Sequence, residues 1–362
     1  MEFIPPEFIK SVQPYAPGKP IEELKREYGL DDVIKLASNE NPLGPSPLAL
    51  QAIGQSLGSL HRYPDGSGYY LVRKLADILN VAPGNIVLGN GSDEIIGMLA
   101  RVLLRPGEEV IMNDPSFSMY AIMTRLSEAV PVQVPLADKA VDLEAITAAV
   151  TPRTRLVFLT NPHNPTGSAF TGAELEKFLA AVPETVTIVM DEAYVEFARK
   201  GQCADSRRFF DDRRLLVTLR TFSKAYGLAG LRVGYGIMPA ELADLLNRVR
   251  QPFNVNSLAQ AAALAALDDT EFLDRTRRTV HEGLAYLAAA MTDMGLTCFP
   301  TQANFMLVDV QTEADGVFEK LLGKGVIVRS MVSYGYPTCL RITAGLPGEN
   351  ERFVETLRKV MS

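Results

Sequence analysis

Short runs of Val, Ile and Leu alternate with longer amphipathic stretches along most of the chain. The apolar runs are Asn85–Leu88, Glu109–Asn113, Leu156–Thr160, Thr185–Met190 and Leu215–Leu219. Several lack polar alternation, which is the pattern of strands covered on both faces in a parallel sheet. Helix-like segments such as Glu94–Leu104 and Gly172–Ala181 lie between them. This alternation predicts an α/β fold around a mixed, mostly parallel sheet. Somewhere in 240–260 the pattern changes. Ser257–Met291 is Ala-rich and reads as helical. Strands at Asn304–Val308, Val326–Val328 and Cys339–Thr343 follow, with helices at Gly316–Leu322 and Glu349–Val360. These make a smaller α+β unit. The first 45 residues, rich in Pro and Gly with one short helix at Ile21–Tyr28, read as an arm that folds back onto that unit. The expected division is a large domain over 46–255 and a small one built from 1–45 and 256–362.

Composition narrows the possible chemistry. Of 362 residues, 36 are Lys or Arg and 43 are Asp or Glu, for a net charge of −7. Such an acidic chain is a poor non-specific binder of nucleic acid or of an anionic membrane. Cys203, Cys298 and Cys339 are odd in number and far apart, so no disulfide framework is expected. His61, His163 and His281 share no ligand-like spacing, and Ala285 stands where a zinc-protease motif starting at His281 needs its second His. No metal site is expected. The opening MEFIPPEFIK has neither a basic stretch nor an apolar core, and no run approaches the roughly 18 apolar residues of a membrane span. A cytoplasmic protein is the expectation.

Polar residues gather where the strand-like runs end. Leu156–Thr160 leads into Asn161-Pro162-His163-Asn164-Pro165-Thr166-Gly167, Thr185–Met190 into Asp191-Glu192-Ala193-Tyr194, and Leu215–Leu219 into Arg220-Thr221-Phe222-Ser223-Lys224. Ligands of open α/β sheets bind outside the carboxyl ends of the strands, so an amide, a carboxylate and an amine converge there. Upstream, Gly89-Asn90-Gly91-Ser92-Asp93-Glu94 precedes an apolar helix start. Its N–H groups and dipole suit an anion, and a plain N-cap by Ser92 or Asp93 gives the same pattern. No Gly-Lys-Ser/Thr closes the turn and no Gly-x-Gly-x-x-Gly is present, so neither a nucleotide P-loop nor a dinucleotide fingerprint is read here.

These residues together resemble the pyridoxal-phosphate-dependent aminotransferases of fold type I, class I/II. The run Thr221-Phe222-Ser223-Lys224-Ala225-Tyr226-Gly227-Leu228-Ala229-Gly230-Leu231-Arg232-Val233-Gly234 is similar to that family's Schiff-base lysine signature, and the runs at 161–167 and 191–194 match two more. Within the superfamily, Ala37-Ser38-Asn39-Glu40-Asn41-Pro42-Leu43-Gly44, Arg62-Tyr63-Pro64-Asp65 and Cys339-Leu340-Arg341-Ile342-Thr343 are most similar to the histidinol-phosphate aminotransferases. The likeness runs from about residue 10 to the end.

The resemblance implies pyridoxal 5′-phosphate bound to Lys224, whose amine then shuttles a proton. Asp191 would pair with the ring nitrogen and keep the ring an electron sink. Asn164 and Tyr194 would meet the ring hydroxyl, and Phe117 would stack on the ring face. Gly91, Ser92, Asp93, Ser223 and Arg232 would hold the cofactor phosphate, Arg232 through its planar fork. Tyr63 would reach the phosphate of a neighbouring subunit, the family's site being shared within a homodimer. For substrate, Arg341 stands in a strand where a charge is costly unless paired. Arg341, Arg329, Tyr15 and Asn39 would line that pocket. The implied activity is ping-pong amino transfer between histidinol phosphate, a phosphorylated amino alcohol, and 2-oxoglutarate, which becomes glutamate. An aromatic amino-acid aminotransferase and a phosphothreonine-type decarboxylase on the same scaffold remain the alternatives.

Overall fold

A computed structural model describes residues 5–15, 18–211 and 215–362. Strand β1 (Ile34–Lys35) lies in the N-terminal arm. A seven-stranded sheet takes β2 (Ile86–Gly89), β3 (Glu109–Asp114), β4 (Val130–Pro135), β5 (Thr154–Thr160), β6 (Thr187–Asp191), β7 (Leu216–Thr221) and β8 (Gly234–Ile237). Its order is β2-β8-β7-β6-β5-β3-β4, and β8 alone runs against the other six. The expected α/β class with a mixed, mostly parallel sheet is therefore the observed one.

The central strands explain why the pattern is readable. Every residue of β6 and β7 is buried, and Val157, Ile188 and Val217 are wholly inaccessible to solvent. Each such side chain contributes roughly 1.5–3 kcal/mol by leaving water. Helices cover both faces. Ser92–Leu103 packs Ile95, Ile96 and Leu99 onto one, and Gly172–Ala181 packs Leu175 and Phe178 onto the other. The latter helix begins at a capping box in which Thr171 and Glu174 satisfy each other's backbone N–H groups. Two strands carry weak sequence signals. β4 contains Pro131 and Pro135, tolerated because it is the sheet's edge. β8 contains Gly234, where a Cβ would stand 2.5 Å from the Ser92 nitrogen.

The stretch Ser257–Met291 is two helices, Ser257–Ala266 and Thr270–Asp293. Asp269 breaks them: its carboxylate caps the second by accepting from the Phe272 N–H (3.2 Å), and it also accepts from Ser46 Oγ (2.5 Å). The first helix buries Ala259, Ala262 and Ala263 in one cluster with Ala49, Leu71 and Ile86. The expected boundary at 255/256 cuts that cluster; we propose a division at 267–269 instead.

The C-terminal part carries β9 (Thr297–Cys298), β10 (Phe305–Asp309), β11 (Val326–Ile327), β12 (Arg329–Ser330) and β13 (Cys339–Thr343). The strand expected over Val326–Val328 is β11, and just after it the chain passes to a second sheet. β11 pairs in parallel with β1 of the arm, and β12 pairs antiparallel with β13. The arm's Leu24 packs with Leu322 and Ile327. Backbone bonds from Leu36 to Ile327 (2.7 Å) and from Thr343 to Leu36 (2.8 Å) lead residues 37–39 toward the carboxyl edge of the large sheet. Among the described residues, no helix is long and apolar enough to cross a membrane.

Candidate active site

In-register pairing sets Thr160 beside Asp191 and Asp191 beside Leu219, so β5, β6 and β7 end side by side. The loops that follow open into a cavity of about 310 Å³. At one end lies the N-terminus of helix Ser92–Leu103. Its N-cap is Gly91, with φ of 77°, and no side chain caps it. Neither Ser92 nor Asp93 therefore occupies the N-cap position, and the first-turn N–H groups and the dipole are left for an anion. Arg232 closes this cradle. A Cβ on Gly91 would come 2.4 Å from its Nη2, and φ of 77° is itself a conformation that favours glycine. Arg232 Nη1 donates to Ser223 Oγ (3.3 Å), and Nη2 pairs with Asp93 Oδ2 (3.5 Å).

Lys224 and Asp191 lie deeper. Lys224 Nζ donates to the Ser38 carbonyl (3.1 Å) and stands 5.6 Å from the centre of the Tyr194 ring. Burial, then the charge of Arg341 and more weakly that of Arg232, lowers its pKa from 10.5 to about 8. Asp191 Oδ2 accepts from Tyr120 Oη (2.6 Å) and Oδ1 from the Ala193 N–H (3.2 Å). Burial pushes its carboxyl up to about 6 in spite of those two bonds. Among the described residues none of the ion pairs includes Asp191. Tyr194 is held by Asn39, whose Nδ2 donates to its hydroxyl (2.9 Å). Asn39 itself sits buried at φ 55° and bonds Thr343 through both backbone and side chain.

The opposite wall carries two guanidinium groups. Arg329 and Arg341 are direct cross-strand partners in the β12–β13 pair. Like charges placed so repel one another across a sheet, and an anion between them relieves that repulsion. Arg341 is buried; Nη1 donates to Asn164 Oδ1 (2.5 Å), Nη2 to the Ala37 carbonyl (2.9 Å), and Nε has no partner among the described residues. Among the described residues Arg341 has no carboxylate partner, and burial lowers its pKa.

Of the residues singled out from sequence, Tyr15, Asn39, Ser92, Asp93, Phe117, Asn164, Asp191, Tyr194, Ser223, Lys224, Arg232, Arg329 and Arg341 line this one cavity, and Gly91 adjoins it. Tyr63 does not. It is 83 % exposed and stacks on Phe253 outside the cavity. Asn161 clasps Phe170 with two backbone bonds of 3.0 Å and serves the turn. Sequence reasoning misses Tyr120, which touches Asp191 from a distant helix, and Tyr334, which also lines the cavity. It also misses Ala37 and Ser38, which act through carbonyls and carry no side-chain signal. Behind the site, Glu192 is fully buried and holds Arg220 at 2.5 Å. Glu192→Gln would leave that guanidinium without its main counter-charge, and a loss of about 3 kcal/mol in urea unfolding is expected.

The chain matches the family described as "Aminotransferase class I and II" over residues 31–357. It is 48 % identical over 357 residues to a histidinol-phosphate aminotransferase of Moorella thermoacetica, covering 98 % of this chain and 92 % of the relative. It is 49 % identical over 353 residues to histidinol-phosphate aminotransferase 1 of Nitrosococcus oceani, covering 98 % and 95 %. The chain belongs to the class I and II aminotransferases, in the histidinol-phosphate aminotransferase family. Among solved structures, the histidinol-phosphate aminotransferase of Sinorhizobium meliloti, in complex with pyridoxal-5′-phosphate, superposes with a TM-score of 0.91 at 30 % identity over 98 % of this chain and 96 % of that one. Thermus thermophilus aspartate aminotransferase shares the fold, at a TM-score of 0.86 and 23 % identity over 99 % and 100 % of the two chains.

The aminotransferase cavity fits pyridoxal 5′-phosphate on three counts. The uncapped helix start with Arg232 suits a phosphate. The buried Asp191, with no cationic partner among the described residues, suits a protonated ring nitrogen. Lys224 is an amine whose pKa is lowered to about 8, suited to bond an aldehyde.

Proposed function

We propose that this aminotransferase moves an amino group between histidinol phosphate and 2-oxoglutarate, as a homodimer in which Tyr63 of each copy completes the phosphate cradle of the other. The Arg329–Arg341 pair carries the substrate reading: two cations opposite each other in one cavity wall suit a phosphomonoester. The relatives' names point the same way. Histidinol phosphate has no α-carboxylate, whereas 2-oxoglutarate has two carboxylates, so the same arginines meet a different anion in each half-reaction.

When bound, pyridoxal 5′-phosphate supplies an aldehyde that captures the amine and a cationic ring that takes up the electron pair of the broken Cα–H bond. The chain's residues do the rest. Asp191 holds the proton on the ring nitrogen, and Tyr120 orients Asp191 through its 2.6 Å bond. Lys224 Nζ takes the proton from the substrate Cα, a task for which a pKa of about 8 is well placed. Asn164 is gripped by Arg341, so the residue that meets substrate also sets the amide facing the ring. Arg232 and the start of helix Ser92–Leu103 fix the phosphate and with it the ring's register.

The deciding experiment is a visible spectrum of the loaded protein. Histidinol phosphate should bleach the Lys224-linked band and 2-oxoglutarate should restore it. A band indifferent to histidinol phosphate but bleached by phenylalanine would move the substrate to the aromatic amino acids. Arg329→Leu should raise KM for histidinol phosphate about 10- to 100-fold, the size of one charge-assisted contact, and leave KM for an unphosphorylated amine nearly unchanged.

A further inference from the structure

Phe253 is an outlier with no role in the site built above. It has φ of 57°, a left-handed conformation that a bulky aromatic rarely adopts. It is also 45 % exposed, so burial of its ring within this chain does not explain the strain. Such strain persists where the surroundings over-determine a geometry that function needs.

The surroundings name that geometry. The Phe253 ring lies flat on Tyr63, centroids 4.6 Å apart and planes 16° apart. A Cβ on Gly66 would stand 3.6 Å from the Phe253 ring, and Gln260 Nε2 joins the two segments by donating to the carbonyls of Asp65 and Val255, both at 2.9 Å. The next residue, Asn254, ties this segment to the chain's own cradle: Nδ2 donates to the Leu88 carbonyl (3.1 Å) and to Glu94 Oε2 (2.6 Å), which also accepts from the Asn90 N–H (2.7 Å). A tyrosine left 83 % exposed would sample many orientations unless propped, and here a flat aromatic face props it.

We propose that Phe253 is a positioning residue for Tyr63, its strained backbone presenting a stacking face that aims the phenol at the cofactor phosphate of a second copy of the chain. The proposal rests on the shared-site reading given above.

The test is the dissociation constant of pyridoxal 5′-phosphate, read from the visible band, with the melting temperature of the cofactor-free protein as a second readout. Phe253→Gly removes the ring and relieves the backbone, since glycine accepts positive φ. It should melt no lower than the parent yet bind the cofactor about 5- to 10-fold more weakly, with Phe253→Tyr restoring affinity. Tyr63→Phe, which deletes a hydrogen bond to a charged group, should weaken binding about 10- to 100-fold. The double variant should bind no more weakly than Tyr63→Phe alone. Should Phe253→Gly dissociate the dimer in sedimentation, Phe253→Leu keeps the apolar bulk without the flat face, and the same weakening is expected of it. A full-strength cofactor site in Phe253→Gly and Phe253→Leu beside a weakened one in Tyr63→Phe overturns the proposal, as does strict additivity in the double variant. Tyr63→Phe binding like the parent in an intact dimer overturns the shared-site reading instead, and the proposal with it.

Discussion

Lys224→Ala is expected to abolish amino transfer, by roughly 10⁴-fold or more, while the fold is kept. The variant loses the amine that bonds the cofactor and the base that moves the proton, and no other described lysine lines the cavity. The cofactor should still enter, held by Arg232 and the start of helix Ser92–Leu103, but without the band of the Lys224-linked form. Stability should move the other way. The native lysine has a pKa of about 8 against 10.5 for a free one, so below pH 8 the folded protein carries an ammonium that it disfavours. Removing it should stabilise the cofactor-free protein by about 3 kcal/mol at pH 7. The gain should shrink as pH rises from 8 toward 10.5, where the parent's lysine becomes neutral in both states. Denaturant melts at pH 7 and pH 10 check the sign. A variant that turns over at the parent's rate would remove Lys224 from the mechanism.

Elements with both a hydrophobic period and a stop signal are legible in the amino-acid sequence. Helix Ile21–Tyr28 ends on Gly29 in the left-handed region, and Gly172–Ala181 starts on a capping box; both have the bounds the pattern implies. The break at Leu267–Asp269 is not legible, because it contains neither Gly nor Pro and depends on Asp269 reaching Ser46, 223 residues away. The sheet change after Val328 is hidden for a related reason. Val326–Val328 is uniformly apolar and buried, and only the pairing of Val326–Ile327 with β1 and of Arg329–Ser330 with β13 shows where one strand ends and the next begins. Within the site, the residues legible in sequence belong to contiguous motifs at strand ends, where topology alone brings them together. Tyr120 belongs to no such motif; its contact with Asp191 spans 71 positions and arises from packing. The arginine pair shows the limit from the other side. Each arginine is visible singly, but their opposition across two strands, which makes the wall an anion site, is a fact of register.

Asp191→Asn should separate activity from stability. Asparagine keeps the shape, and its one carbonyl oxygen still accepts from the Ala193 N–H while its Nδ2 donates to Tyr120 Oη, whose own proton turns to Thr160 Oγ1, but it cannot hold a proton on the ring nitrogen. Losing that preorganised charge should lower kcat by roughly 10²–10³-fold, the scale of one electrostatic contact to the reacting system. The cofactor-free protein should nonetheless gain. Burial lifts the native carboxyl from 3.8 to about 6, so above pH 6 the parent folds around an ionised group that it disfavours. Between pH 3.8 and 6 the folded parent binds more protons than the unfolded chain, so its stability falls as pH rises through that window. At pH 7.5 Asp191→Asn should therefore be more stable than the parent by about 3 kcal/mol without cofactor. The advantage should close as pH falls from 6 to 3.8. With cofactor bound the order should reverse, because the ring cation then pairs with the parent's carboxylate and has nothing to pair with in the variant. Thermal melts with and without pyridoxal 5′-phosphate at pH 7.5 measure both signs in one experiment. A variant stabilised by cofactor as much as the parent would mean that Asp191 does not face the ring nitrogen, and an unchanged kcat would mean that the ring's charge is held by another group.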